Sequence, residues 1–269
     1  MPWRELVDLA AKYRDHHCNG QRVLVHALNW NRPLAVWAMD YTAPPNVIEG
    51  VHRTILCVRD LASGNTLAAV PSAHDDAKTT LEVLKALFAE HGPPLCIKSD
   101  NGKHFVAEEV RKFLADHRVA HLRSPFYTPT FNGAIESGIC SLKIRAHYEA
   151  ARHDRPGEWT LDDIEGARLR GNELGRPHGR ARGTPDEEWA RRTPITEADR
   201  DEFLALVAKY ELEEATHPGY QGGAPRGEDV RLSVGRAAIS RALCQLGIVQ
   251  YRRRLISLPN PRILRSRIA

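Results

Sequence analysis

The chain has 269 residues, of which 42% are hydrophobic and 27% are charged, as expected for a globular protein with a sizeable core. No stretch approaches 18 consecutive apolar residues, so we expect no membrane segment and no membrane partner, and the chain start lacks a signal-peptide pattern. Five scattered cysteines without a close pair argue against a disulfide framework or a structural zinc site, and a reducing cytoplasm is the expected location.

The net charge of +4 is unevenly distributed along the chain. Residues 226–269 contain ten arginines and two acidic residues, a net charge of +8, so the remainder carries −4. Because arginines neutralise phosphates, this basic C-terminal tail is predicted to contact DNA, with Arg252, Arg253 and Arg254 as its densest cluster. The alternative is a solvated tail with little order.

The first half of the chain contains a series of strand patterns. Residues 1–32 begin with apolar residues at helical spacing, and we predict a short N-terminal helical segment there. The apolar run over 34–42 predicts a strand that is buried on both faces. The segments 53–59 and 66–70, separated by a turn-rich link, predict a hairpin of two further strands.

Helical patterns alternate with strands after the hairpin. Asp75 or Asp76 can cap a helix that ends near Gly92. This order predicts an α/β fold whose mixed five-stranded sheet is antiparallel at its start and flanked by helices, with a helical, basic C-terminal extension. The further predicted elements are strands over 95–99 and 120–124 and helices over 106–117, 133–151, 161–174 and 197–214.

Three acidic residues stand where predicted elements begin or end. Asp40 closes the first apolar strand, Asp100 closes the strand over 95–99, and Glu136 lies in the first turn of a helix. Thirty-five residues separate Asp100 from Glu136. If the two strands are neighbours, their ends project both aspartates from one sheet edge, and three carboxylates there can hold two divalent cations for phosphodiester chemistry.

Each acid also has a purely structural interpretation. Asp100, followed by Asn101 and Gly102, is typical of a tight turn. Asp40 can simply end a strand, and Glu136 can be a first-turn acid favoured by the helix dipole. One acid alone is weak evidence, whereas the three together with these flanking residues point to a metal site.

The segments around these acids resemble the catalytic cores of transposases and retroviral integrases of the DDE type. The resemblance rests on the residues flanking Asp40, on Asp100-Asn101-Gly102, on Asn132-Gly133 before Glu136, and on the thirty-five-residue gap. It covers about residues 33–190, and the stretch 124–143 looks like bacterial insertion-sequence transposases. The resemblance implies a ribonuclease-H-like fold, two Mg²⁺ or Mn²⁺ ions, and DNA cleavage followed by strand transfer.

The resemblance also implies roles for individual residues. Asp40, Asp100 and Glu136 become the catalytic metal ligands, and we expect them to spread apart without metal because like charges repel. Lys143, Asn132 and Tyr127 become candidate DNA-binding residues: Lys143 near the active site, Asn132 with Gly133 in the loop that aims Glu136, and Tyr127 stacking on a base. Residues 191–225 are then a helix and linker, before the tail at 226–269.

The chain departs from related transposases before the core. Residues 1–32 are too few for the helix-turn-helix domains that bind element ends in relatives, so end recognition is expected from the tail or a separate helix-turn-helix protein. An active form is expected to be a homo-oligomer on element-end and target DNA, in the cytoplasm at the nucleoid. The alternatives are a catalytically silent transposase remnant that binds DNA and a ribonuclease-H-like nuclease.

Overall fold

The computed structural model describes residues 22–125, 129–216 and 227–257, the side chains of 22–27, 129–130, 228 and 254–257 excepted. Its centre is a five-stranded sheet with the strand order β4-β3-β2-β5-β6. Strands β2, β3 and β4 are antiparallel, whereas β5 and β6 run parallel to β2. The predicted mixed five-stranded sheet is therefore confirmed. Its strands are β2 Val36–Thr42, β3 Thr54–Asp60, β4 Thr66–Ser72, β5 Cys96–Ser99 and β6 Ala120–Arg123.

Eight α-helices lie within the described residues. The first is capped by the Asp76 side chain, which accepts from the backbone N–H of Thr79, and it ends at Gly92, as predicted. Thr160, Thr184 and Thr196 each form a reciprocal capping box at a later helix start. The helices are α1 Ala77–His91, α2 Lys103–Val106, α3 Glu108–Asp116, α4 Gly133–Arg152, α5 Leu161–Leu174, α6 Pro185–Ala190, α7 Glu197–Ala215 and α8 Glu228–Gln245.

The sheet is buried on both faces because alternate residues of its strands enter two separate hydrophobic clusters. On one face, Ala38 and Cys57 pack against helices that include α4, whose apolar stripe contains Ile135, Ile139 and Leu142. On the other face, Trp37 packs against α1 and α3, as in its edge contact with Phe88. This explains why residues 34–39 form a continuous apolar run rather than an alternating one.

The chain divides into two compact units. One contains Trp30–Val249, so α7 and α8 belong to the same unit as the sheet, and α8 packs along α7. The other is formed from Met1–Asn29 with Gln250–Ala269. Described parts of both its segments belong to a separate two-stranded sheet of β1 Arg22–Trp30 and β7 Val249–Ser257.

Strand β1 corrects one sequence-based prediction, and strand β7 argues against the alternative of a tail with little order. Residues 22–30 form a strand, so the helical segment predicted over 1–32 is wrong in its described part, and residues 1–21 lie outside the description. Arg252, Arg253 and Arg254 lie in a paired strand and not in a loose tail. A strand that pairs with a partner more than 200 residues away leaves little local signal, which is why the short apolar run in β1 was misassigned.

In the described segments, no helix has the length and apolarity needed to span a membrane.

Candidate metal and nucleic-acid site

The sheet brings Asp40 and Asp100 to one edge. Strands β2 and β5 are parallel neighbours, and Ala38 pairs with Lys98. Continuing that register by two residues puts Asp40 beside Asp100, because parallel strands end at the same side of a sheet. Thus the prediction that the two apolar runs form adjacent strands is confirmed, and this adjacency carries the geometry of the candidate site.

Helix α4 brings the third carboxylate to the same region. Glu136 is exposed in its first turn, next to Ile135, which is buried against the sheet. Burial, and after it the nearby carboxylates of Asp100 and Glu136, raise the pKa of Asp40 to about 6. The three acids therefore sense one another electrostatically, as expected for a shared site.

The backbone around Asp100 is held in a tight turn. The Asp100 carboxylate accepts a hydrogen bond from the Gly102 N–H at 2.8 Å, and Asn101 donates from Nδ2 to the Ser124 carbonyl at 2.7 Å. Ser124 in turn donates to the Ser99 carbonyl at 3.0 Å. The turn interpretation and the metal-ligand interpretation of Asp100 are thus compatible. The turn residues fix the direction of the carboxylate, and its second oxygen accepts no hydrogen bond from the described residues.

Lys98 is a site residue that the sequence analysis missed. Its ammonium group is buried, donates to the Phe131 carbonyl and to Asn132 Oδ1 at 3.2 Å, and lies over the Phe131 ring. Burial lowers its pKa to about 8, while Cys96 and Glu136 counteract the shift. Lys98 ties β5 to the segment that enters α4, so it links the strand of Asp100 to the helix of Glu136. A single charged residue within an apolar strand was the available signal.

Arg59 is a second missed residue, and it anchors the start of α4. It is buried on β3, donating from Nε to the Gly64 carbonyl at 3.0 Å and from Nη1 to the Ala134 carbonyl at 3.2 Å. Its guanidinium occupies the space where residue 138 would carry a Cβ, which would lie 2.1 Å from Nη1. Gly138 therefore lets Arg59 reach the turn that contains Glu136.

The three side chains of the candidate site are chemically suited to bind a hard divalent cation. All three groups are carboxylates, and no lysine or arginine among the described residues forms an ion pair with any of them. Within the described ranges, no three acidic, histidine or cysteine residues come close enough to enclose a metal ion.

The predicted DNA-binding residues are found in different environments. Lys143 lies near the sheet edge, since the Cys57 thiol, whose pKa burial raises to about 12, is influenced by both Asp40 and Lys143. Asn132 is buried and accepts from Lys98 and Ser124, which suits a loop-shaping role, and its contact with DNA stays a prediction.

The other predicted contacts are partly outside the description. Tyr127 is not among the described residues. Arg252 and Arg253 are exposed on β7, whereas only the backbone of Arg254 is described. Arg241, another arginine of the predicted tail, is held by Glu213 at 2.7 Å and Glu214 at 2.9 Å and lies over the Tyr210 ring. That pairing makes Arg241 a poorer phosphate ligand than its charge suggests.

Comparison with known proteins identifies the class to which this core is similar. Residues 31–129 match the family model described as Integrase core domain, a stretch that contains Asp40 and Asp100 and ends before Glu136. An uncharacterized protein of Caenorhabditis elegans is 36% identical over 150 residues, which are 52% of this chain and 11% of that protein. The Intracisternal A-particle Pol-related polyprotein of the mouse intracisternal A-particle is 28% identical over 114 residues, 42% of this chain and 13% of the polyprotein. This chain thus spans about a tenth of the length of these curated relatives.

Comparison with solved structures also finds chains of similar fold. The simian T-cell lymphotropic virus intasome aligns with a TM-score of 0.56 at 20% identity, covering 66% of this chain and 63% of the matched chain. The HTLV-2 integrase catalytic core domain in complex with magnesium aligns with a TM-score of 0.48 at 18% identity, covering 58% of this chain and 96% of that one. The ribonuclease-H-like fold and the resemblance to DDE transposase and integrase cores are confirmed, while an insertion-sequence origin stays a prediction.

Proposed function

We propose that this protein is a polynucleotidyl transferase that cleaves DNA and transfers the cut strand in a metal-dependent reaction. The observation that carries the proposal is the placement of Asp40 and Asp100 on adjacent parallel strands, with Glu136 close enough to raise the pKa of Asp40. The match of residues 31–129 to the Integrase core domain model supports the same reaction class.

The proposed ligands are Asp40, Asp100 and Glu136, holding two Mg²⁺ or Mn²⁺ ions. When bound, such ions supply Lewis acidity at the phosphate and a more acidic nucleophile. The chain's own contribution is positioning: Lys98 and Arg59 fix the two ends of the segment leading into Glu136, and the turn after Asp100 fixes its carboxylate.

The proposed reaction has two steps. A water oxygen first attacks phosphorus at the element end and the bond from phosphorus to the 3′-oxygen breaks, which leaves a 3′-hydroxyl. That hydroxyl oxygen then attacks a phosphorus of target DNA and displaces the 3′-oxygen of the target strand. Lys143, a partly buried residue on the helix that carries Glu136, is suited to hold a phosphate beside the carboxylates in both steps.

A strand-cleavage assay tests this function. Purified protein with Mn²⁺ should nick supercoiled plasmid and join a labelled duplex to it, and Asp100→Asn should reduce both by at least about 1000-fold. The matched control is Asp116→Asn on α3, an exposed carboxylate paired with Lys112, which should retain activity. Equal rates for the wild type and Asp100→Asn would reject the assignment.

A DNA-binding protein without cleavage activity is the second candidate. One observation favours this candidate: among the described residues, no three potential ligands lie close enough together to enclose a metal ion. Salt-sensitive DNA binding without metal-dependent nicking would support this candidate over the first.

The proposed partners are element-end and target DNA, a second copy of this chain when two ends are joined, and a separate helix-turn-helix protein for end recognition. The exposed side chains of Arg252 and Arg253 support a DNA contact by β7. Location in the cytoplasm at the nucleoid belongs to the same proposal, since it follows only from the proposed DNA contact.

A further inference from the structure

A cavity of about 230 Å³ lies between the β3–β4 hairpin, α4 and α5, away from the three carboxylates. Four arginines line it, together with Ser141 and the backbone of several glycines. These arginine-cavity residues are Arg59, Arg145, Arg168 and Arg176.

Arg59 forms the inner wall of the cavity, where its charge is costly. Its side chain is buried, and its recorded hydrogen bonds go to two backbone carbonyls, of Gly64 and Ala134. The adjacent Asp60 carboxylate is already engaged by the Leu34 N–H and by Ser63. A buried guanidinium without a hydrogen-bonded carboxylate is strongly stabilised by an anion.

Arg145 adds a second guanidinium without a carboxylate partner. Its Nη1 donates to the Ser141 carbonyl at 3.1 Å, and none of the ion pairs among the described residues includes it. It lies over Gly171 and Gly175, where a Cβ would approach it to 3.7 and 3.6 Å. The end of α5 attracts a cation through its helix dipole, yet that interaction falls well short of neutralising a full charge.

The other two arginines are already paired. Arg168 forms a bidentate pair with Glu165 at 2.6 and 2.7 Å, and Arg176 lies 3.7 Å from Glu187. The cavity therefore contains two guanidiniums with carboxylate partners and two, Arg59 and Arg145, that donate to backbone carbonyls and form no ion pair among the described residues. Asp60 acts on Arg59 only through its charge and not through a hydrogen bond. Two guanidiniums that face one space without a bound carboxylate suit an anion with several oxygens.

We propose that the arginine cavity binds a phosphate group. Guanidinium groups bind phosphate oxygens through paired charge-assisted hydrogen bonds, and the Ser141 hydroxyl and the Arg59 and Arg145 forks line one space. Gly138 keeps room for the Arg59 guanidinium, because a Cβ at this position would collide with it. The phosphate comes either from the backbone of bound DNA or from free phosphate.

Calorimetric titration of the full chain with inorganic phosphate tests the proposal, with chloride at matched ionic strength as the reference. We expect saturable binding with one site per chain. Arg145→Gln should raise the Kd for phosphate at least about tenfold, the loss of one charge-assisted interaction. Arg145→Lys, which keeps the charge and loses the fork, should show an intermediate Kd.

Arg152→Gln is the matched control, because Arg152 lies on the same helix outside the cavity and is exposed beside Glu149. It should bind phosphate like the wild type, and circular dichroism should show that all variants are folded. The proposal is overturned if phosphate gives no saturable signal above chloride, or if Arg145→Gln binds phosphate with wild-type affinity.

Fluorescence anisotropy with a labelled duplex separates the two sources of phosphate. If DNA supplies the phosphate, Arg145→Gln weakens duplex binding and reduces the salt dependence by about one unit of slope. If free phosphate is the ligand, the variant binds the duplex normally while its phosphate affinity falls.

Discussion

The carboxylate site and the arginine cavity lie along the same helix and concentrate opposite charges. Glu136 is in the first turn of α4, and Arg145 lies nine residues further on, so about 13 Å of helix rise separates them. That distance exceeds the screening length of about 8–10 Å at physiological salt. Arg59 lies closer to Glu136, because it donates to the Ala134 carbonyl, but no ion pair among the described residues joins a cavity arginine to one of the three carboxylates.

The two regions differ in how they treat their charges. The carboxylates at the sheet edge have no arginine or lysine ion-pair partner among the described residues. Arginines of α4 and α5 instead pair with Glu149. In the cavity, Arg168 and Arg176 have carboxylate partners, whereas Arg59 and Arg145 donate to backbone carbonyls. Each region therefore contains charged groups without an ion-pair partner among the described residues, and such groups are suited to a ligand of opposite charge.

Lys98 provides the largest expected effect and tests whether the carboxylate site depends on one positioning residue. Lys98→Met removes the link from β5 to the Phe131 carbonyl and Asn132, so the segment before Glu136 loses its anchor. We expect metal-dependent nicking to fall by about 100-fold, because small misplacements of catalytic groups have effects of that order.

Plasmid nicking and urea unfolding of this variant should be measured together. Lys112→Met, which removes an exposed lysine of α3, serves as the control for loss of a lysine. It should leave nicking unchanged. Full nicking activity in folded Lys98→Met would show that the strand of Asp100 and the helix of Glu136 are positioned independently of Lys98.

His121 tests the charge balance beside the carboxylate site through pH. Its Nε2 lies 2.8 Å from Ser99 Oγ, and burial, followed by Arg123 and Arg111, lowers its pKa from 6.5 to about 4. The native state thus binds fewer protons than the unfolded state between these values. The contribution of His121 to the free energy of unfolding is complete above pH 6.5 and is lost as the pH falls through about 4. The total loss is up to about 3 kcal/mol.

The measurement is the free energy of unfolding of the wild type and His121→Gln at several pH values between 7 and 4. The difference between the two proteins should change across this interval, since the glutamine does not titrate. A constant difference would mean that His121 has an ordinary pKa.

Substitution of two helical glycines is expected to give the smallest effect. Comparing them distinguishes the packing of Arg59 against α4 from the general preference of helices for alanine over glycine. Gly138→Ala would bring a Cβ against the buried Arg59 guanidinium, so we expect destabilisation by about 1–3 kcal/mol. Gly166→Ala on α5 meets nothing closer than 3.9 Å and should stabilise the protein by about 0.5–1 kcal/mol. Equal effects of the two substitutions in urea unfolding would contradict the packing of Arg59 on α4.

The sequence predicted the sheet well because its strands follow local patterns, and the strand adjacency that brings Asp40 and Asp100 together is confirmed, whereas the role of the three acids as metal ligands stays a prediction. The apolar runs over 34–42 and 95–99 determine where two of the strands lie, and Asp76 and Gly92 mark the two ends of α1. Lys98 and Arg59 were missed since their roles depend on carbonyls of the segment 131–134, distant in sequence. The pairing of β1 with β7 was missed for the same reason.

The central claim is that Asp40, Asp100 and Glu136 form one divalent-cation site, and direct measurement of Mn²⁺ binding tests it without any assumption about DNA. Mn²⁺ titration followed by electron paramagnetic resonance should give saturable binding to the wild type. Asp100→Asn should bind at least about tenfold more weakly, a loss of about 1.4 kcal/mol, and Asp116→Asn should bind like the wild type. Absence of saturable binding, or equal affinity in Asp100→Asn, would contradict the account.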